Sequence, residues 1–206
     1  MRTVLPFVLL AFLVFDVTAQ QSYMGFKGGF NLSKFDSEGI SDIEVDDRKA
    51  YNFAFVYSFI SRTNPPLGLT IEPGYTLKGT RFKTGMILND TLRAISGNKL
   101  HYISLPVLFD FYPIKNLKIS VGPEVAFLAK TKLMIADTTQ SISSTYNKRW
   151  ELSGTVGISY SIDFFVDLGL RYNTAFTKVA EMDAILNRQK LFNQYLQVYL
   201  MFKIAN

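Results

Sequence analysis

The sequence predicts an all-β protein, an eight-stranded antiparallel up-and-down transmembrane β-barrel. Three observations lead to this fold class: aromatic residues alternate with small ones, eight segments show such alternation, and the connections between the segments alternate in length. The clearest segment is NFAFVYSF, where Phe53, Phe55, Tyr57 and Phe59 stand at every second position. A period of two is that of a β-strand, so the four rings share one face of the strand.

Eight segments in all alternate in this way, and none approaches the 18 consecutive apolar residues of a membrane-spanning helix. On each segment one face is aliphatic or aromatic, and the other mixes small residues with charged ones. The predicted strands are residues 24–32, 51–59, 67–77, 103–111, 119–127, 150–160, 164–172 and 192–204.

The connections between these strands differ in length in a regular order. Short turns are expected around residues 62–65, 113–116 and 161–163. Between them we expect long loops at residues 33–50, 78–102, 128–149 and 173–191. Long loops at one end and short turns at the other are typical of outer-membrane barrels, and hairpin connections make neighbouring strands antiparallel.

The polarity of the two strand faces indicates whether lipid or water surrounds the barrel. Eight strands enclose room for side chains or one small ligand, which is too little for all the large apolar residues of this chain. We therefore expect the apolar face to meet lipid, with aromatic girdles that include Tyr51, Tyr75, Trp150, Tyr160 and Tyr172. The opposite face then fills the lumen with a polar network formed by Lys27, Glu72, Asp110, Lys118, Glu124, Glu151, Asp167 and Arg171.

The positions of the short turns also predict which lumen residues face each other. A turn near Ile114 and a turn near Ser161 would bring opposite charges or hydrogen-bonding groups together across neighbouring strands, as a packed polar interior requires. The predicted pairs are Asp110 with Lys118, Glu151 with Arg171, and Thr155 with Asp167.

Three prolines fall inside predicted strands. Pro73, Pro106 and Pro123 each remove a ladder donor, and a closed barrel has no edge where that loss is harmless. We expect β-bulges at these positions. The alternative is a broken strand and an irregular barrel.

The N-terminal sequence predicts a secretory signal peptide, residues 1–19. A positive charge at Arg2 precedes an apolar run from residue 4 to residue 15, and Val17-Thr18-Ala19 has the small-residue pattern of a cleavage site. The run is too short for a membrane-spanning helix. Because the chain has no cysteine, a lipoprotein anchor and disulfides are excluded. Residues 20–206 are then one barrel domain, expected in the cell outer membrane after cleavage of the signal peptide.

Five stretches of the chain are informative when taken together: GFKGGFNLS at residues 25–33, EPGYTLKG at 72–79, YISLP at 102–106, GPE at 122–124 and RYN at 171–173. In these stretches the chain resembles the PorT-like outer-membrane β-barrel proteins of Bacteroidota, and the resemblance extends over nearly all of residues 20–206. The resemblance implies an eight-stranded outer-membrane barrel, and it implies little about activity, although some members are linked to protein secretion across the outer membrane.

Signals for chemistry are sparse. The single histidine, His101, is only three residues from Ser104, but an odd spacing on a strand points the two to opposite faces, so a solvated loop histidine is the favoured interpretation. The acidic stretch at residues 42–47 lacks the glycine and the closing glutamate of a calcium loop, which favours a solvated acidic loop. There is no phosphate-binding loop and no nucleophile elbow. We expect no catalytic, cofactor or metal site.

Three functional hypotheses follow. The first is a structural or interaction component of the cell envelope, with long extracellular loops and a role in assisting protein secretion. The second is a membrane-embedded lipid-modifying enzyme, and the third is a small porin-like pore. The expected partners are outer-membrane lipid and envelope or secretion proteins. The net charge of +5 is scattered without a basic patch, so nucleic acid is not an expected partner, and the sequence names no small-molecule ligand.

Overall fold

The computed structural model describes residues 21–37, 45–46, 48–79, 81–88, 91–135, 138–141, 149–177 and 191–205. The predicted signal peptide, residues 1–19, lies outside the described residues, as does most of the acidic stretch at 42–47. The described strands are β1 (Gln21–Ser37), β2 (Val45–Asp46), β3 (Arg48–Ile60), β4 (Leu67–Ile71), β5 (Gly74–Lys78), β6 (Arg81–Leu88), β7 (Thr91–Ile114), β8 (Leu117–Ile135), β9 (Thr138–Ser141), β10 (Trp150–Asp163), β11 (Val166–Ala175) and β12 (Leu191–Ala205).

The strands close into a ring of eight positions. Going round the ring, β1 pairs with β3, β3 with β4 and β5, and these two with β7; β7 pairs with β8, β8 with β10, β10 with β11, and β11 with β12. The ring closes because β12 pairs with β1 along its whole length, from Tyr23 opposite Ala205 to Ser37 opposite Leu191. Every pairing is antiparallel, so the predicted fold class is confirmed. Each predicted strand corresponds to one position of the ring, although the third is interrupted and the seventh begins at Val166.

The distribution of polar and apolar side chains is the reverse of that in a water-soluble protein. Large apolar side chains stand on the outside, where Phe30 is 77% and Trp150 is 66% exposed. Charged side chains are enclosed, and Glu72 and Glu124 are each only 1% exposed. This arrangement suits a barrel whose surroundings are lipid. No helix in the described ranges is long and apolar enough to cross a membrane.

The third ring position is interrupted at Glu72 and Pro73, which lie between β4 and β5. The register against β3 is the same on both sides of the gap, so no bulge forms there, and the expectation of bulges at the prolines is wrong. Pro106 and Pro123 lie inside β7 and β8 without a register shift. The proline carbonyls still take part in the ladder: the Glu72 amide donates to the Pro106 carbonyl at 3.1 Å.

The strands on the side of the long connections run further than the sequence pattern indicates. β6 and the first part of β7 form a hairpin within the predicted loop 78–102, with Arg81 opposite Gly97 and Leu88 opposite Thr91. β8 likewise continues to Ile135 and pairs with β9. Where a strand extends beyond the membrane, neither of its faces needs to be apolar. The alternation of apolar and polar residues therefore stops before the strand ends, and the sequence pattern makes the strand look shorter than it is.

Candidate functional site: the polar lumen

The lumen is filled by polar side chains from every position of the ring. Each strand turns alternate residues inward, so the inward residues form layers across the barrel. All eight residues of the sequence-predicted lumen network are buried: Lys27, Glu72, Asp110, Lys118, Glu124, Glu151, Asp167 and Arg171.

Glu72 is the centre of a buried triad with Lys27 and Arg171. Arg171 binds the carboxylate with both terminal nitrogens, Nη1 to Oε2 at 2.6 Å and Nη2 to Oε1 at 2.9 Å. The Lys27 ammonium also donates to Oε2 of this carboxylate. Both cations also lie over the ring of Tyr199, at 5.1 Å for Lys27 Nζ and 5.2 Å for Arg171 Cζ. Such two-pronged pairing and ring contact hold the guanidinium in one orientation.

Gly169 makes room for the Tyr199 ring in this triad. A Cβ atom added at Gly169 would stand 2.1 Å from Cζ of Tyr199, far inside van der Waals contact. A glycine at this inward position therefore lets a large ring cross the lumen beneath the two cations.

Lys78 is the centre of a second cluster, toward the side of the long connections. Its ammonium donates to Glu124 Oε1 at 3.0 Å and to Glu151 Oε1 at 2.7 Å. The Tyr195 hydroxyl donates to Glu124 Oε2 at 2.8 Å, and the Asn193 amide donates to Glu151 Oε2. Each carboxylate thus has a partner on both oxygens, which is what a buried charge requires.

Asp110 lies toward the short-turn end of the lumen. Ser120 donates to its Oδ1 at 2.5 Å, and the Thr70 hydroxyl donates to its Oδ2. The Lys118 ammonium is 3.9 Å from Oδ2, at the limit of an ion pair, and donates to the Tyr23 hydroxyl at 3.3 Å. Hydroxyl groups therefore supply most of the partners of this carboxylate.

Asp167 lies near the same end. The Lys203 ammonium is 2.6 Å from its Oδ1, and the Ser161 hydroxyl donates to that oxygen at 2.6 Å. Lys203 Nζ also lies 5.6 Å from the centre of the Tyr23 ring. Tyr23 thus contacts the lysines of both carboxylates at this end of the lumen.

The cations and carboxylates of these ion pairs are equal in number. The triad has one more cation than carboxylates, and the Lys78 cluster has one more carboxylate than cations. The two aspartates each have one lysine. Among the ion pairs formed by described residues, five cations thus meet five carboxylates, which a low-dielectric interior favours: Lys27, Lys78, Lys118, Arg171 and Lys203 with Glu72, Asp110, Glu124, Glu151 and Asp167.

The predicted pairs across the short turns differ from the observed ones. Arg171 lies opposite Gly157 and binds Glu72, and Glu151 binds Lys78, so the predicted Glu151–Arg171 pair is wrong.

Asp167 lies opposite Ser161, so its predicted pairing with Thr155 is also wrong. The reason for both errors is that the turn is at Phe164 and Phe165, beyond the predicted 161–163, which shifts the register. Asp110 does contact Lys118, but diagonally, because Ser120 is directly opposite it.

Sequence reasoning missed two of the cations and the aromatic rings beneath the ion pairs. Lys78 is the first residue of the predicted long loop 78–102, but it continues the inward spacing of Glu72 and Thr76 by one further strand position. Lys203 continues the inward spacing of Tyr199 and Met201 in the same way. Extending the predicted strand 67–77 by one residue would have found Lys78, whereas Lys203 already lies on the inward face of the predicted strand 192–204.

His101 lies within β7, so the expectation of a loop histidine is wrong. It is half-buried, and its Nδ1 forms a hydrogen bond of 2.5 Å with the hydroxyl of Tyr75. Ser104 is buried on the lumen side, where it bonds to Thr76 at 2.9 Å. The wall of the barrel therefore lies between the histidine and the serine, as their spacing predicts.

A metal site is not evident in the described ranges, which contain no group of three or more potential His, Cys, Asp or Glu ligands. The lumen carboxylates instead take lysine, arginine, hydroxyl and amide groups as partners.

A family model described as "Outer membrane protein beta-barrel domain" matches residues 18–181, most of the chain. The chain belongs to this family. Its place is therefore the outer membrane, and the lumen described above is the interior of a small outer-membrane barrel. No curated protein matches the sequence.

Two solved outer-membrane proteins have a similar fold. Ail, the attachment invasion locus protein of Yersinia pestis, is 13% identical with a TM-score of 0.50, and the match covers 89% of this chain and 99% of Ail. Neisserial surface protein A is 17% identical with a TM-score of 0.51, and the match covers 89% of this chain and 97% of that protein. At such low identity the likeness shows the fold alone.

Proposed function

We propose that the protein is a non-catalytic interaction component of the cell envelope, in which the barrel anchors extracellular hairpins that bind a partner protein. The observation that carries this proposal is the filled lumen. Ion pairs such as Arg171–Glu72 and Lys78–Glu151 cross the barrel from one wall to another. Because the interior is occupied by its own side chains, the surfaces left for function are the outer wall and the two ends.

The hairpin of β6 and β7 is the described part of the chain best placed for such binding. Its paired residues extend from Arg81 and Gly97 to Leu88 and Thr91, past the level of the ion pairs of Lys78. Short turns mark the periplasmic end of outer-membrane barrels, so this hairpin lies at the extracellular end. The resemblance to PorT-like barrels makes protein secretion the first process in which to look for the partner.

The two alternative functions have less support. A porin-like pore needs an open lumen, whereas eight strands leave one filled by side chains. A lipid-modifying enzyme of the His-Ser type needs both groups in one site, whereas His101 and Ser104 lie on opposite faces of β7.

Trimming the hairpin tests the proposal. Because Arg81 and Gly97 are opposite each other, residues 82–96 can be replaced by Asn-Gly, which forms a two-residue hairpin turn. The control replaces the turn residues Lys115 and Asn116 by the same Asn-Gly pair at the other end of the barrel. Both variants should remain folded, which a different gel mobility of boiled and unboiled samples in detergent would show.

The readout is quantitative co-purification from native outer membranes after cross-linking. We expect envelope proteins that are enriched with the wild type and with the turn control to be lost with the trimmed variant. Equal recovery of those proteins with the trimmed variant would contradict a role for the hairpin, and enrichment of nothing beyond lipid would contradict the interaction function itself.

A further inference from the structure

A group of basic side chains lies on the outer wall of the barrel, at the extracellular end of β7 and β8. The group consists of Lys99, His101, Lys130 and Lys132, and we name it the outer basic cluster. Lys130 lies directly opposite His101, and Lys132 lies directly opposite Lys99. Four basic residues thus occupy two successive cross-strand pairs on the same face of the wall.

A bulge in β8 puts the two lysines of that strand on the outside. From Lys118 to Leu128 the even-numbered residues of β8 face the lumen, so unbroken alternation would turn Lys130 and Lys132 inward. The register shifts between Tyr102, opposite Leu128, and His101, opposite Lys130, which leaves Ala129 as an extra residue. After this bulge Thr131 is buried and Lys130 is exposed. A bulge that re-aims side chains in this way is typical of functional positions.

Among the side chains that the structure describes, no carboxylate neutralises Lys130 or Lys132. In the described part of the chain, neither Lys130 nor Lys132 forms an ion pair. Of the carboxylates whose side chains are described, five are in the lumen and the sixth, Asp163, lies at the periplasmic end. Lys132 lies directly opposite another lysine, and like charges opposite each other repel, so an anion from outside the chain would stabilise this pair.

The cluster lies just beyond a row of three aromatic residues and one isoleucine on the outer wall. Tyr75, Ile103, Phe127 and Trp150 are successive cross-strand neighbours, and Trp150 packs on Phe127 with ring centres 5.0 Å apart. Exposed aromatic residues mark the level where the hydrocarbon meets the headgroups. At a rise of about 3.3 Å per residue, the two basic pairs lie roughly 7 and 13 Å further along the strands, at the level of the headgroups.

We propose that the outer basic cluster binds the phosphate of a lipid headgroup in the outer leaflet of the outer membrane. The position favours a lipid over a soluble anion because the lysines project from the lipid-facing wall and not from the hairpin ends. Lysine ammonium groups bind phosphate as compact point charges with three donors each. This site is separate from the hairpin of the proposed interaction function, and either can exist without the other.

The test is a titration of the detergent-solubilised full-length protein with diphosphoryl lipid A, followed by native mass spectrometry. The main variant is Lys130→Ala with Lys132→Ala, and the matched control removes two exposed cations from the periplasmic end, Arg62→Ala with Lys115→Ala. At about 1 kcal/mol for each lysine near a charged headgroup, the main variant should bind roughly 30-fold more weakly. The control should bind like the wild type, and Lys130→Arg with Lys132→Arg should retain most of the affinity.

Two further titrations distinguish binding of a lipid phosphate from binding of free inorganic phosphate. Lipid A from which both phosphates have been removed should bind the wild type about as weakly as diphosphoryl lipid A binds the main variant. Inorganic phosphate in excess should displace little lipid A, because it lacks the acyl chains that hold the headgroup at the wall. Equal affinity of the wild type and the main variant, an equal loss in the control, no effect of removing the phosphates, or full displacement by inorganic phosphate would each overturn the proposal.

Discussion

Replacing Glu72 by leucine should be among the most destabilising single changes in the lumen. Glu72 is 1% exposed and accepts two hydrogen bonds from Arg171 and one from Lys27. In Glu72→Leu both cations stay buried around the Tyr199 ring without their carboxylate. Breaking a buried ion pair by removing one partner costs about 3–5 kcal/mol of unfolding free energy, and the repulsion between the two cations places this variant at the upper end of that range.

Two comparison variants isolate the electrostatic cause. Arg171→Leu leaves Lys27 on the Glu72 carboxylate, so it should lose less than Glu72→Leu. Replacing Lys27, Glu72 and Arg171 together by leucine removes every charge of the triad. Apolar replacements of whole buried ion clusters are often neutral or stabilising, so the triple variant should be at least as stable as either single variant.

The assay is equilibrium unfolding by urea in phospholipid vesicles, followed by fluorescence. The chain has one tryptophan, Trp150, and it is exposed on the outer wall, so its emission reports transfer out of lipid. Leu170→Val, a lipid-facing change close to Arg171 on β11, is the control and should shift the midpoint little. A larger loss for Arg171→Leu than for Glu72→Leu, or a triple variant less stable than Glu72→Leu, would refute the reasoning.

Three other predictions concern the packing of the lumen, the orientation of the barrel faces and the conductance of the lumen. Gly169→Val should displace the Tyr199 ring and cost about 1–3 kcal/mol in the same unfolding assay, as overpacking does. An unchanged midpoint would contradict close packing of the Tyr199 ring against Gly169. Brominated lipids should quench Trp150 strongly because its side chain is 66% exposed on the outer wall, whereas quenching only by a water-soluble agent would reverse the two faces of the barrel. The purified wild type should show no steady conductance in planar bilayers, and a stable open channel would overturn a lumen filled by side chains.

Much of the fold could be predicted because lipid outside and polar side chains inside make the period of two visible. Along β11, for example, Leu168, Leu170 and Tyr172 are exposed, while Asp167 and Arg171 are buried. The same alternation places the other charged residues of the predicted lumen network inward. Their inward direction could therefore be predicted residue by residue, without knowledge of any contact.

The partners of those charges could not be predicted in the same way. Pairing across a turn depends on where the turn is, and Phe164 and Phe165 look like strand residues although they form the turn between β10 and β11. Long side chains also reach across the lumen to strands that are not neighbours. Arg171 on β11 binds Glu72, between β4 and β5, which is 99 residues away in the chain. A pattern within one strand or hairpin cannot predict a contact between residues so far apart in the sequence.

The bulge at Ala129 is a second feature that the sequence does not signal. The residues around it, Leu128 to Lys132, include no glycine or proline that would mark a bulge, so continuing the period of two predicts inward lysines. The lumen already has matched charges among its described ion pairs, and two more lysines would leave it with cations in excess. Turning Lys130 and Lys132 outward at the headgroup level avoids that excess, which is a physical reason for an extra residue at this point of β8.

The buried charges also explain how eight short amphipathic strands adopt one register. If β11 slipped by one residue, Arg171 would move from Glu72 to the lipid face, and Leu170 would move into the lumen. An arginine on the lipid face near the middle of the membrane costs about 2–4 kcal/mol, and a Glu72 without it adds the cost of a broken buried pair. An apolar lumen would carry no such penalty, because either face could then meet lipid. The ion pairs therefore contribute more to the uniqueness of the barrel than to its stability, which is why the triple leucine variant can be stable and yet populate more than one register.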